Sequence, residues 1–236
     1  MKTLVCNHKM YLTHDEAVML KEDMKSIDLK DIQFIVCPSY LNFDVFDNNT
    51  LGSQDAFYED KGAYTGKISA YDLSLRGIKY AIVGHSDQRL YDTDEVINLK
   101  VRALLRNSMT PIFCIGETKI DSELRRTSEV LKRQIIKGLK DVKLDTNQEI
   151  IVAYEPRFLI GSKKTLSKED IEDTLKYIRK ILKSINITNY KLLYGAGINS
   201  KNINLIKSNM CDGYLLGSSS CDINELKIIV NSVKKV

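Results

Sequence analysis

The sequence predicts an α/β fold, a single (β/α)8 barrel spanning residues 1–236, on three observations. Short apolar runs recur along the whole chain, segments of helical period lie between them, and polar or ionisable residues gather where the runs end. The runs are nearly all apolar rather than alternating, as a strand buried on both faces of a parallel sheet requires. Repeated strand–helix alternation without a Pro/Gly/Ser-rich linker argues for one domain. A length of 236 residues is close to the roughly 250 that such barrels commonly reach.

The first strand is TLVCN (3–7). It is followed by HDEAVMLKEDMKSI (14–27), whose Ala17, Leu20 and Met24 share one helical stripe. IQFIVCP (32–38) is the second strand, and a weaker run, LGSQ (51–54), fills the gap before YAIVG (80–84). PIFCI (111–115) comes next, and TSEVLKRQIIKGL (127–139) then sets Val130, Leu131, Ile135 and Leu139 on one helix face. IIVAY (150–154) precedes a helical segment from Ser167 to Leu182. That segment opens SKED, a serine followed by acids, which suits a helix N-terminus. KLLYG (191–195) and GYLLG (213–217) complete the set.

Periodicity alone fits a closed barrel and an open doubly wound sheet alike. The strand ends carry Asn7, Lys9, Gln54, His85, Glu117 and Glu155, then Gly197 and Gly217. In parallel α/β folds chemistry sits at the C-terminal ends of strands, and in barrels the βα loops build the site.

Composition narrows the function classes. The net charge of +4 is small and spread along the chain, and no basic block or zinc-finger spacing points to nucleic acid. The five cysteines, Cys6, Cys37, Cys114, Cys211 and Cys221, form no C-x-x-C pair, so neither a metal site nor a redox couple is signalled. A reducing compartment fits them best. The N-terminal apolar stretch is too short for a signal peptide, and no run approaches the roughly 18 apolar residues of a membrane span. The expectation is a cytoplasmic protein without membrane or nucleic-acid partners.

The segments NHKM (7–10), GAYTGKISA (62–70), YAIVGHSDQR (80–89), PIFCIGET (111–118), AYEPRFLIGSKKT (153–165), LLYGAGI (192–198) and DGYLLGSSS (212–220) resemble the triosephosphate isomerase family. They follow that family's order and cover the chain nearly end to end. The resemblance implies a TIM barrel that interconverts dihydroxyacetone phosphate and D-glyceraldehyde 3-phosphate, in glycolysis and gluconeogenesis, without cofactor or metal. Moving a proton between adjacent carbons through an enediolate needs a carboxylate base, a donor to the carbonyl, nearby positive charge and a phosphate anchor. By resemblance Glu155 is the base and His85 a neutral imidazole electrophile at the N-terminus of a following helix; triosephosphate isomerases are themselves the standard example of that pairing. Lys9 and Asn7 match the family's N-x-K and would supply charge and hydrogen bonds to the substrate. Residues 156–165 match its mobile lid. The backbone N–H of Gly161 would grip phosphate, with Gly197, Gly217 and Ser218 offering further donors. Closure keeps water from the enediolate, which otherwise loses phosphate.

Several positions depart from the family. His8 and Phe158 replace tryptophans, Gly197 replaces a serine that latches the lid, and Lys163 replaces the lid's second glycine. Asp87 replaces a glutamate, which would withdraw its charge by about 1.5 Å where positioning matters. Lys67, Gln88 and Asp55 alter what would be a homodimer contact built around residues 62–70, so that contact is expected to be rebuilt on packing. Two alternatives stay open on sequence alone: isomerisation of a related phosphorylated sugar such as a tetrulose phosphate, and a catalytically weak sugar-phosphate-binding barrel.

Overall fold

A computed structural model describes residues 1–234. The strands are β1 (Lys2–Asn7), β2 (Ile32–Cys37), β3 (Gly52–Ser53), β4 (Tyr80–Val83), β5 (Thr110–Ile115), β6 (Ile150–Tyr154), β7 (Tyr190–Tyr194) and β8 (Gly213–Leu216). The helices are α1 (His14–Met24), α2 (Ala70–Leu75), α3 (Asp94–Arg106), α4 (Lys119–Glu123), α5 (Thr127–Gly138), α6 (Lys168–Ser184), α7 (Ile203–Ile206) and α8 (Ile223–Val233). All eight strands lie in one sheet in the order β2-β1-β8-β7-β6-β5-β4-β3, and each pairing is parallel. A single parallel bridge, Val36 with Leu51, joins β2 to β3 and brings the sheet round into a barrel. Among the described residues no helix is long and apolar enough to cross a membrane.

Alternation within each strand divides the core into two layers, because successive side chains point to opposite faces. Val5, Ile35, Ile82, Ile112, Ile151, Leu193 and Leu215 form one buried cluster inside the barrel. Their neighbours Leu4, Phe34, Ala81, Phe113, Val152, Leu192 and Leu216 join the larger layer between strands and helices. Both faces are thus covered, which explains the unbroken apolar runs. The same register carries Asn7, Glu155, Gly195 and Gly217 to one mouth of the barrel, where they border a single cavity.

The helices begin where capping chemistry allows. Thr13 closes a capping box with Glu16 at α1. The Ser167 hydroxyl accepts from the Asp170 N–H at α6, as SKED predicts; such caps contribute about 1 kcal/mol each. The 14–27 segment is shorter than expected, ending at Met24 with Lys25 as its cap.

Asp55, one of the positions altered around the expected homodimer contact, is paired within its own chain. Lys100, on α3, is buried, and its Nζ lies 2.8 Å from both Asp55 oxygens and 2.5 Å from Asp92 Oδ2. The three side chains are 5%, 24% and 12% exposed. One ammonium therefore ties the chain leaving β3 to the chain leaving β4. Lys100→Met is expected to lower unfolding free energy by about 3 kcal/mol, since it leaves two carboxylates facing each other without a counter-charge. Urea unfolding measures the loss, and adding Asp55→Asn should recover part of it. A single variant as stable as wild type would remove the triad from the account of stability.

Candidate active site

β1 ends on Asn7, whose side-chain Oδ1 accepts the Lys9 N–H at 3.1 Å. Lys9 has a φ of 48°, unusual for a residue with a side chain. That backbone is held on its far side by Gln54, whose Nε2 donates to the Lys9 carbonyl at 2.6 Å and to Cys37 O at 3.0 Å. The turn sends the Lys9 ammonium to Asp87, 3.0 Å from its Oδ2. The aspartate thus reaches its lysine despite the shorter side chain. Partial burial pushes the Asp87 carboxyl up, but the Lys9 hydrogen bond and neighbouring charges outweigh it and hold the group below its usual range.

His85 follows β4. The Asp87 backbone N–H donates to His85 Nδ1 at 3.1 Å, which makes Nδ1 the acceptor and leaves the proton of a neutral ring on Nε2. Nδ1 also lies 3.5 Å from Asp87 Oδ2, a contact that only a protonated ring would use. The chain beyond His85 differs from the expected helix: only a 3₁₀ turn, Gln88–Leu90, intervenes before α3. The donor behind the ring is therefore the backbone N–H of Asp87, the N-cap of that short 3₁₀ turn.

Glu155 continues β6, its N–H donating to Ile115 O at 2.8 Å. The close approach of the two backbones depends on Gly116, where an added Cβ would lie 1.8 Å from the Glu155 carbonyl oxygen. Gln134 fixes that glycine from α5, accepting its N–H at 2.9 Å and donating to its carbonyl at 3.1 Å. The Glu155 residue is 3% exposed. Its Oε1 sits 3.6 Å from His85 Nε2, and its Oε2 has no hydrogen-bond partner among the described residues. Burial raises the Glu155 pKa, with His85, Cys114 and Lys9 pulling less strongly the other way.

A cavity of about 690 Å³ opens beside these groups. Asn7, Lys9, His85 and Glu155 line it together with Gly161, Gly197, Gly217 and Ser218. Asp87 stands behind Lys9 and His85, outside the lining. The 156–165 segment is bonded at both ends. The Arg157 N–H donates to Glu117 O at 3.0 Å, and the Tyr194 hydroxyl takes the Thr165 hydroxyl at 2.9 Å and the Leu166 N–H at 3.3 Å. Among the described residues no group of three His, Cys, Asp or Glu side chains is placed to hold a metal. A buried carboxylate, an imidazole and an ammonium that share one cavity with loop glycines can take a small anion and move a proton on it.

The triosephosphate isomerase family model matches residues 2–233. The chain belongs to the triosephosphate isomerase family. It is 35% identical over 238 residues to a triosephosphate isomerase of Moorella thermoacetica, covering 95% of this chain and 96% of that protein. It is 35% identical to one of Thermoanaerobacter pseudethanolicus, with 95% and 96% covered, and 34% identical to one of Endomicrobium trichonymphae, with 97% of each covered. Two of the departures from the family pattern are accommodated locally. His8 is buried edge-on to Phe46 at 5.5 Å, and burial pushes its pKa down to about 4. Lys163 keeps a φ of 57°, a left-handed backbone that glycine adopts without cost.

Sequence reasoning missed Arg89, whose buried guanidinium joins Asp94 at 2.7 Å and Cys114 O at 3.0 Å beneath the site. Its signal was weak, an arginine five residues before the first acid of a helix. It also missed Asn199, which two asparagines in the loop after β7, Asn199 and Asn202, could have flagged as side chains that bond backbone locally.

Proposed function

We propose that this member of the family interconverts dihydroxyacetone phosphate and D-glyceraldehyde 3-phosphate through an enediolate, without a cofactor or metal. Glu155 takes the proton from one carbon and returns it to the next, while the Nε2–H of neutral His85 donates to the oxygens. Lys9 and Asn7 face the developing negative charge, Asp87 orients Lys9, and Gly161, Gly197, Gly217 and Ser218 receive the phosphate. The observation that carries the reading is the unpartnered, buried Glu155 Oε2 at the edge of the cavity, on the same carboxylate that meets His85. A carboxylate so desolvated is a stronger base than one in water, and the unpartnered oxygen is free for a substrate C–H. Assay of the pure protein on triose phosphates and on tetrulose phosphates, with phosphate release followed in parallel, tests it. Turnover confined to tetrulose phosphate, or binding without turnover, would replace it.

We also propose a cytoplasmic homodimer formed through residues 62–70. Residues 61–67 stand exposed, with Tyr64 packed on Phe57 at 4.8 Å and Lys67 over the same ring at 5.7 Å. Large apolar side chains protrude from the neighbouring loops, with Met10, Leu41, Leu90 and Tyr91 all exposed. Apolar protrusions concentrated on adjacent loops mark a surface that another copy covers. The expected result is a dimer in sedimentation at micromolar protein that changes little between low and high salt, because screening weakens charge pairs and not packing. A fully active monomer under both conditions would sink it.

A further inference from the structure

We infer that Asn199 is the latch that sets the lid over the site, a positioning residue for Gly161 and hence for the phosphate. This role rests on the isomerase reading and extends it. Asn199 lies in the loop between β7 and α7, and its side-chain amide is engaged at both ends by backbone. Its Oδ1 accepts from the Lys201 N–H at 3.0 Å and the Asn202 N–H at 3.2 Å. Its Nδ2 donates to Gly197 O at 3.1 Å and, across to the lid, to Lys163 O at 3.2 Å. The amide can point only one way, since a flip would set nitrogen against two N–H groups and oxygen against two carbonyls. Asn202 reinforces the bracket, accepting the Asn199 N–H at 2.9 Å and donating to Gly197 O at 2.8 Å.

The lid lies against this bracket. An added Cβ on Gly197 would come within 1.7 Å of the Lys164 carbonyl oxygen and 3.0 Å of the Lys164 nitrogen. A serine at position 197, as in the family pattern, therefore does not fit the lid where it rests here. The missing hydroxyl is replaced by an amide two residues further along, and the space a side chain would need is taken by lid backbone. Lys163 is two residues from Gly161, around which a Cβ would find nothing within 4 Å. Within the lid the Ser162 N–H and hydroxyl both meet Leu159 O, so the Asn199 bond to Lys163 is the contact that ties this turn to the loop after β7. The left-handed backbone of Lys163 belongs to the same segment whose carbonyl Asn199 takes.

Asn199→Asp separates the latch from the local fold. The carboxylate still accepts from Lys201 and Asn202, but it presents an oxygen to the two carbonyls that Nδ2 served. A lid set loosely exposes the enediolate, whose electron pair can expel inorganic phosphate as the C3–O bond breaks. The enol left behind takes up a proton at C3, gives up its hydroxyl proton to water and becomes a 2-oxoaldehyde. The expected result is a fall in kcat/KM for triose phosphate and a rise in phosphate released per isomerisation, each about tenfold, the equilibrium scale of replacing a hydrogen bond by a repulsion between oxygens. Amide exchange over residues 159–165 should quicken in the free protein, while exchange in α7 stays at the wild-type rate. Asn199→Ser, which keeps a short acceptor and cannot span to Lys163, should behave alike if the aspartate variant folds poorly. Unchanged lid exchange, or equal quickening in α7, overturns the latch whatever the activity. Faster lid exchange in a protein whose wild type does not isomerise triose phosphate leaves the latch standing and refutes the substrate reading instead.

Discussion

Glu155→Gln is expected to lower kcat for triose phosphate by about three orders of magnitude, within the range general acid–base groups supply, and to make the protein more stable at neutral pH. Both effects come from one cause. Burial raises the Glu155 pKa in the folded chain, so the native state binds a proton more readily than the unfolded one. Stability then declines as pH rises from the unfolded value through the folded one. An amide of the same shape has no charge to desolvate, so the cost present in wild type at neutral pH disappears. The activity of wild type should in turn show an acid limb above the ordinary glutamate range, since only the ionised form is a base. Binding of a phosphate ligand should change little, because its donors lie in the lid and the last loops. A Gln variant with wild-type kcat would take Glu155 out of the mechanism, and one with a lowered Tm would refute the desolvation argument.

Lys9→Met should lower kcat/KM by about 10³-fold, the upper range for removing one donor to a developing oxyanion. Methionine keeps much of the length and packing of the side chain and leaves the left-handed backbone at φ 48° as it was. The difference is charge. Asp87 loses the ammonium 3.0 Å away and is left beside His85 Nδ1 at 3.5 Å. Its carboxylate then favours a proton on Nδ1, displacing the backbone donor that keeps the neutral tautomer. NMR gives a second readout. The Nδ1 signal of the imidazole, bare of a proton in the wild-type tautomer that the Asp87 N–H sets, should change in Lys9→Met. If kcat/KM falls and that signal does not move, the lysine acts on the substrate alone and Asp87 is not coupled through it.

The strands were legible because burial on both faces leaves an unbroken apolar signature, and seven of them stand out by it. LGSQ was weak for a physical reason: only Gly52 and Ser53 are in ladder conformation. The short helices α2, α4 and α7, of six, five and four residues, have too few turns to show a period. In the candidate site, the strand-end position of Asn7, His85 and Glu155 could be read from local sequence, and their roles only from resemblance. Local sequence does not carry long-range pairing. Lys100 and Asp55 are 45 residues apart, and Asn199 meets Lys163 across 36. The 3₁₀ turn after His85 is indistinguishable from a helix start in sequence, because the polar residues of HSDQR suit either.

The barrel is not equally strong around its circumference. Six register pairs join β1 to β2, whereas one bridge, with the Val36 N–H on Thr50 O at 2.7 Å, spans the gap to β3. Opening should begin along that line, so amide exchange is expected to be fastest at the banks of this seam and slowest in β5 to β7. The exposed Leu41 and the 61–67 loop rise from the two banks. A second copy seated on them would act as a clasp across the weakest joint, coupling association to melting. Tm should then climb with protein concentration by mass action, and dilution alone would unzip the barrel from one side.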